Sequence, residues 1–294
     1  MSIYRITGLL LTLSLISMSY CTNKIVYLIS PPRSLSVAFL RMMQARGDFS
    51  IMHEPSQSVL FARTHPAEVF QDWFRSDAFQ SYDEVKAAIL QKAENNNLFI
   101  KEISFGVRDF HCQDFQLMQN PNAYFVFLVR SPHHTIISMY KKLKDNFSDL
   151  SIPFCDLIGY KEEYDIFMTV KNHGSHQPYL IFTEDLYTNP DTTIQKFCDH
   201  VGIAFKPESL HWDDLGESFD GQEQWQEAKH AELAQYWHGD AIHSTGFAAP
   251  APYAVDEQGN PTFSEIANLE HRETCAKIYC EQMIYYCQLL ENYE

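Results

Sequence analysis

A chain of 294 residues that is 45% hydrophobic and 14% aromatic can bury a large core, which sets aside intrinsic disorder as a description of the whole. Its 38 acidic side chains against 22 basic ones give a formal charge of -16, so the field of the chain opposes general adhesion to DNA, RNA or anionic membrane. An anionic small molecule therefore needs a local basic pocket.

Residues 1–22 stand apart. Arg5 precedes an apolar stretch from Ile6 to Met18, and Ser17 and Ser19 offer a small-x-small cleavage pattern before Tyr20. The stretch is short for a membrane span. It reads either as a signal or anchor segment, which implies the secretory pathway or a membrane, or as sequence upstream of a true start at Met18, which implies the cytoplasm. Residues 23–294 carry no internal repeat, low-complexity tract or strong linker and are expected to form one domain.

Past residue 23, apolar runs of β type alternate with helical periodicity. Strands are expected at Lys24 to Ile29, Phe49 to Met52, Leu98 to Ile103, Ala123 to Val129 and Pro178 to Thr183. Helices are expected at Leu35 to Ala45, Tyr82 to Glu94, Pro132 to Lys144, Asp191 to Val201 and Phe263 to Leu290. Ser81 followed by Glu84 has capping-box form at the start of the second of these. Residues 203–222 and 239–263 read as irregular. Such alternation predicts an α/β fold with a parallel sheet covered by helices.

Seven cysteines, at 21, 112, 155, 198, 275, 280 and 287, include no C-x-x-C pair, and buried free thiols are the expected state. No metal site is expected: no carboxylate or cysteine falls at ligand spacing from His133 or His134.

The first strand runs into Ser30-Pro-Pro-Arg-Ser-Leu-Ser36 and then a helix, the arrangement in which backbone N–H groups and a helix N-terminus face an anion. Pro31 and Pro32 stiffen the strand exit, Arg33 brings bidentate phosphate geometry, and Ser34 and Ser36 bring hydroxyl donors. The plain alternative is a turn with Ser34 or Ser36 as N-cap and Arg33 on the surface. Between Ser30 and Leu40 there is no glycine and no lysine, so a nucleotide triphosphatase loop is disfavoured. A second such element follows at the end of the fourth strand, where Arg130-Ser-Pro-His-His-Thr-Ile-Ile-Ser138 sets an arginine at a strand tip eight positions before a helical serine.

Taken in this order, the two elements resemble the sulfotransferases that use 3'-phosphoadenosine-5'-phosphosulfate (PAPS). Leu180-Ile-Phe-Thr-Glu-Asp-Leu186, Asn189-Pro190 and Phe197 to Gly202 add a third similar piece, and the likeness spans residues 24 to about 205. The Pro-Pro-Arg-Ser loop, Arg46-Gly-Asp-Phe49 and His53-Glu-Pro55 look closest to the arginine-type branch. The resemblance implies a three-layer α/β/α, P-loop NTPase-like fold. It also implies transfer of a sulfuryl group from PAPS to a hydroxyl or amine, with 3'-phosphoadenosine-5'-phosphate (PAP) as product and no metal. Arg33, Ser34, Leu35 and Ser36 would hold the 5'-phosphosulfate, and Arg130 with Ser138 the 3'-phosphate. The lysine-type branch carries its catalytic histidine in a Lys-Thr-His motif, but the comparable strand end here is Lys101-Glu-Ile103, so that mechanism does not carry over.

For the general base the resemblance points to Glu54, with His53 and Glu102 as alternatives and a turn-capping carboxylate before Pro55 as the plain reading. Arg33 would also stabilise the leaving phosphate. Lys101 is either a further cation or a solvated strand-end lysine, and Lys141, Lys142 and Lys144 read as a solvated face. His133 and His134 either touch the nucleotide or are exposed loop residues. Ser244, Thr245 and Gly246, in the stretch Trp237 to Phe247, are expected in a lid. The acceptor, a small molecule, carbohydrate or peptide, would meet walls from 56–82, 145–178 and 203–263. A PAP-binding protein without catalysis and a P-loop small-molecule phosphotransferase remain the competing readings.

Overall fold

The computed structural model describes residues 23–64, 78–144, 157–215 and 231–293. The N-terminal segment lies outside them, as do Cys21 and Cys155. Five strands form one wholly parallel sheet: β1 (Ile25–Ser30), β2 (Ser50–His53), β3 (Leu98–Ile103), β4 (Ala123–Val129) and β5 (Tyr179–Phe182), in the spatial order β2-β3-β1-β4-β5. The expected bounds of the third and fourth strands are those observed, and the other three differ by one residue at each end.

The sheet is covered on both faces, which makes the three-layer architecture. Ile25, Tyr27 and Ile29 of β1 join one apolar cluster, whereas Val26 and Leu28 join the other. Every residue of β1 is buried, the near-continuous apolar run that a parallel strand with two covered faces requires. Each such side chain contributes about 1.5–3 kcal/mol of transfer free energy. Helix α1 (Ser36–Arg46) packs on the Val26 face, and α2 (Gln57–Thr64), α3 (Tyr82–Ala93) and α4 (Ser104–Gln113) follow in the chain, α3 and α4 on the opposite face. Helices α5 (Pro132–Leu143) and α6 (Tyr160–His173) also cover the Tyr27 face. After β5 come α7 (Thr183–Thr188), α8 (Pro190–Val201), a 3₁₀ turn at Pro207–Leu210, α9 (Ala231–Ile242) and α10 (Leu269–Leu290).

This distribution follows from handedness. The chain moves toward the β2 edge through α1 on one face and returns toward the β5 edge through helices on the other, as right-handed crossovers demand. From β1 it turns one way and from β4 the other, so the crevice beyond the carboxyl ends of β1 and β4 is the switch point where open α/β sheets hold ligands.

Several sequence expectations are corrected. The segments read as variable walls contain α2, α6 and α9, and α4 and α7 were not anticipated. The last helix starts at Leu269 rather than Phe263, which is buried with a left-handed φ of 52°. Among the described cysteines, all free, Cys198 and Cys275 are buried as expected, but Cys280 and Cys287 are exposed. No described helix is long and apolar enough to cross a membrane.

The start of α3 keeps the Ser81 half of its sequence signature, while Glu84 reaches one residue beyond the cap. Ser81 Oγ accepts from Glu84 N at 3.3 Å, and the Glu84 carboxylate accepts from Gln80 N at 2.7 Å. Ser81→Ala is expected to cost about 1 kcal/mol and Ser81→Gly only a few tenths, read as midpoints of urea denaturation.

Candidate active site

The loop after β1 is built from strained backbone. Without glycine, Arg33 and Leu35 themselves take left-handed φ values of 61° and 62°, conformations that cost a non-glycine residue about 1–3 kcal/mol and persist only where the surroundings enforce them. Ser34 supplies part of that enforcement: its buried hydroxyl donates to Pro31 O at 2.7 Å. This corrects the plain alternative for the loop, since neither Ser34 nor Ser36 is the N-cap. Leu35 is the cap residue of α1, gives no side-chain cap bond, and the first turn carries no acidic residue. The N-terminus of α1 thus keeps its positive dipole end and N–H donors for an anion.

Arg33 joins the two sequence elements. Its carbonyl accepts from Arg130 Nη1, and its Nε donates to Ser138 Oγ at 3.0 Å. Arg33, Arg130 and Ser138 therefore meet at the crevice between β1 and β4, and Arg33 is not a surface residue. Burial lowers the pKa of both guanidiniums, Asp240 countering the effect at Arg33 and Tyr160 and Glu184 at Arg130, and both stay charged. Tyr160 Oη donates to Arg130 O at 2.5 Å, fixing the strand end, and Ser131 N donates to Glu184 Oε1 at 3.4 Å. Two buried polar atoms here have no hydrogen-bond partner: Arg130 Nε and Ser30 Oγ.

Helix α9, which was not anticipated, lies across Arg33. Arg33 Nη1 donates to Trp237 O, and Nη2 stands 3.5 Å from Asp240 Oδ2. Arg41, buried in α1, donates to the last carbonyls of α9, Ala241 O at 3.0 Å and Ile242 O at 2.9 Å, and to Asp213 O at 2.5 Å. A cation at a helix C-terminus satisfies carbonyls that the helix itself leaves open. Lys142 Nζ donates to Tyr236 O at 2.6 Å and its carbonyl accepts from Tyr236 Oη. Lys142 is thus a docking contact rather than part of a solvated face, while Lys141 and Lys144 are exposed as expected. Of the expected lid residues, Ser244 Oγ accepts from Trp212 Nε1 at 3.2 Å and donates to Ala241 O at the end of α9, and Thr245 O accepts from Trp212 N. His133 is fully buried in the first turn of α5 against Tyr253 and Phe263, not exposed in a loop.

A second cluster occupies the tips of β2 and β3. Glu54 follows β2 with a φ of 48°, which breaks the strand alternation that would send neighbouring side chains to opposite faces. His53 Nε2 and Glu54 Oε1 consequently lie 3.6 Å apart, and Lys101 Nζ donates to the same oxygen. Lys101 is 2% exposed, which corrects the reading of a solvated lysine. Burial pushes the Glu54 carboxyl up, but Lys101 and His53 outweigh it and hold the group below the usual carboxylate range. Burial drives His53 down to about 4 against the pull of Glu54, so it is neutral at pH 7. Glu102, accepting from Ser56 N at 3.0 Å, is pushed up to about 8 by burial, with Glu54 adding to the rise, so it holds its proton at neutrality. Of the three proposed bases, then, Glu54 and His53 stand unprotonated at neutrality and Glu102 does not.

His238, from α9, completes this cluster and was not singled out from sequence. Its ring meets that of His53 edge to face at 5.3 Å between centroids, and one ligand atom from each of His53, Glu54 and His238 lies within 4.8 Å of the others. The sequence expectation of no metal site rested on the cysteines and on His133 and His134; a donor set of two imidazoles and a carboxylate arises here from residues up to 185 positions apart.

Comparison with known proteins bears on this arrangement. Two curated relatives from Arabidopsis thaliana, branched-chain-amino-acid aminotransferase-like proteins 1 and 2, are each 23% identical over 78% and 87% of this chain, which covers 38% and 41% of their lengths. The chain thus spans about two fifths of those relatives. Similar solved structures include the sulfotransferase domain of the Synechococcus PCC 7002 olefin synthase, 17% identical, with 86% of this chain and 94% of that one covered and a TM-score of 0.43. A mouse sulfotransferase complexed with PAP is 13% identical, with 92% and 89% covered and a TM-score of 0.42. The family model described as a sulfotransferase domain matches residues 24–258, taking in the Arg33 loop, the β2 and β3 tips, the Arg130 element and α9, and the chain belongs to that family.

Proposed function

We propose that this sulfotransferase-family chain transfers a sulfuryl group from PAPS to an acceptor hydroxyl or amine and releases PAP. The observation that carries the reading is the convergence on Arg33: one residue touches both Arg130 and Ser138, at the switch-point crevice and beside an uncapped helix N-terminus. The unpartnered Arg130 Nε and Ser30 Oγ beside it suit an anion with more than one phosphate. PAP is also the ligand named for the mouse sulfotransferase.

In this reading Arg33 and the α1 N-terminus stabilise charge on the departing 5'-phosphate, while Arg130 and Ser138 hold the 3'-phosphate and so select against ADP. Glu54 takes the acceptor proton as the hydroxyl or amine attacks sulfur in line, and Lys101 keeps that carboxylate ionised and in place. Glu54 stands at the tip of β2, two strands from β1, so donor and acceptor would be gripped from different strands of one sheet.

Calorimetric titration tests the donor site. PAP is expected to bind more tightly than ADP or AMP, and Arg130→Ala to weaken PAP by at least about tenfold, the loss of one charge-assisted hydrogen bond of ~1.5–3 kcal/mol. Failure of the folded chain to bind PAP would remove the reading. Glu54→Gln tests the chemistry in a PAPS assay against a panel of alcohols, amines, sugars and tyrosine peptides. Turnover is expected to fall by about 10²–10⁴-fold with PAP affinity unchanged. Binding of PAP without turnover of any acceptor would favour the non-catalytic alternative.

Glu102 gives a separate pH test. Its folded pKa of about 8 lies above the ordinary value of about 4.3, so between the two the folded state holds a proton that the unfolded state has released. Stability is therefore lost as pH rises through this window. Glu102→Gln is expected to flatten that decline, measured as urea midpoints from about pH 5 to about pH 8.

A further inference from the structure

The His53, Glu54 and His238 cluster combines three features that the transfer chemistry does not require together. The positive φ at Glu54 swings two consecutive side chains toward one another. Helix α9, fastened by Arg41, Arg33 and Lys142, brings a second imidazole to them from the far end of the chain. Their ligand atoms lie within 4.8 Å of one another, a span that a single ion could draw together with small side-chain movement.

We infer that His53, Glu54 and His238 form a binding site for a divalent transition cation. Two imidazole nitrogens and one carboxylate are the donor set that first-row transition ions take, with coordination positions left over for water or another oxygen ligand. The position of Lys101 sharpens the choice of ion. Its ammonium donates to Glu54 Oε1, so an incoming cation shares the carboxylate with a positive charge. Mg2+ and Ca2+ bind through oxygen and depend on that carboxylate, and they are excluded. For Co2+, Ni2+, Cu2+ and Zn2+ the two imidazoles supply most of the affinity.

A cation here occupies the carboxylate that the proposed transfer uses as its base. Metal occupancy and transfer then exclude one another, and this consequence rests on the function proposed above. The site itself does not.

The test uses the full chain, stripped of metal by a chelator, and titrates it with Co2+ followed by visible absorption and calorimetry, with circular dichroism as the check on folding. One equivalent of Co2+ is expected to give ligand-field bands, to be displaced by Zn2+ and to be untouched by excess Mg2+. His238→Gln and His53→Gln are each expected to weaken Co2+ by at least about 100-fold, since loss even of a supporting outer-shell group costs 10–100-fold. Should His238→Gln fail to fold, His53→Gln carries the comparison. Absence of the bands in the wild-type chain, or their persistence in a folded His238 or His53 variant, overturns the inference. PAP titration of the same wild-type sample separates the two readings: PAP binding without a Co2+ site sinks this inference alone, and a Co2+ site without PAP binding sinks only the transfer reading.

Discussion

The contact on which the site depends is the one between the Arg130 guanidinium and the Arg33 carbonyl. It ties the end of β4 to the loop after β1, and it does so at a residue whose left-handed backbone would otherwise relax. The Arg33 side chain then repeats the connection in the other direction through Ser138. Two like charges are thereby kept close together in a half-closed space, an arrangement that repulsion opposes and that an anion relieves. Asp240 at Arg33 and Glu184 at Arg130 offset part of that repulsion.

The sheet supplies the rigidity that this arrangement needs. β1 and β4 are neighbours, buried on both faces and paired along nearly their whole length, so the strand ends from which the Arg33 loop and Arg130 depart are held about 4.8 Å apart by strand spacing. Beyond them the buried Arg41 locks the C-terminus of α9, and through α9 the Trp237 carbonyl and His238 are placed. Charged side chains hydrogen-bonded to backbone carbonyls thus work together with the burial of Ile242 and the packing of Trp237 to position this element.

What could be read from the sequence divides along the same line. The strands were legible because burial on both faces writes itself as uninterrupted apolar runs, as in Ala123–Val129. The meeting of Arg33, Arg130 and Ser138 was legible because each stands in a strand-loop-helix element whose residue types and spacing are local. Helix α6 was missed: Glu163, fully buried on its inner face, interrupts the apolar stripe formed by Ile166, Phe167 and Val170. Helix α9 was missed because its interior carries Gly239 and Asp240, poor helix formers, and its anchors Arg33, Arg41 and Lys142 lie about a hundred to two hundred residues away. The convergence of His53, Glu54 and His238 was invisible for the same reason, and the burial of Lys101 was hidden because a lysine at a strand end reads as solvated until its carboxylate partner is known.

The sheet order separates the two halves of the site in a further respect. Arg33 follows the central strand, which has a neighbour on either side, whereas Glu54 follows a four-residue strand that has a neighbour on one side only among the described residues. Substitutions near β1 propagate into both apolar layers and meet resistance from each; substitutions around β2 disturb a shallow margin. Change at this margin therefore costs folding less than change at the centre, so the scaffold tolerates at its rim alterations that it resists around β1.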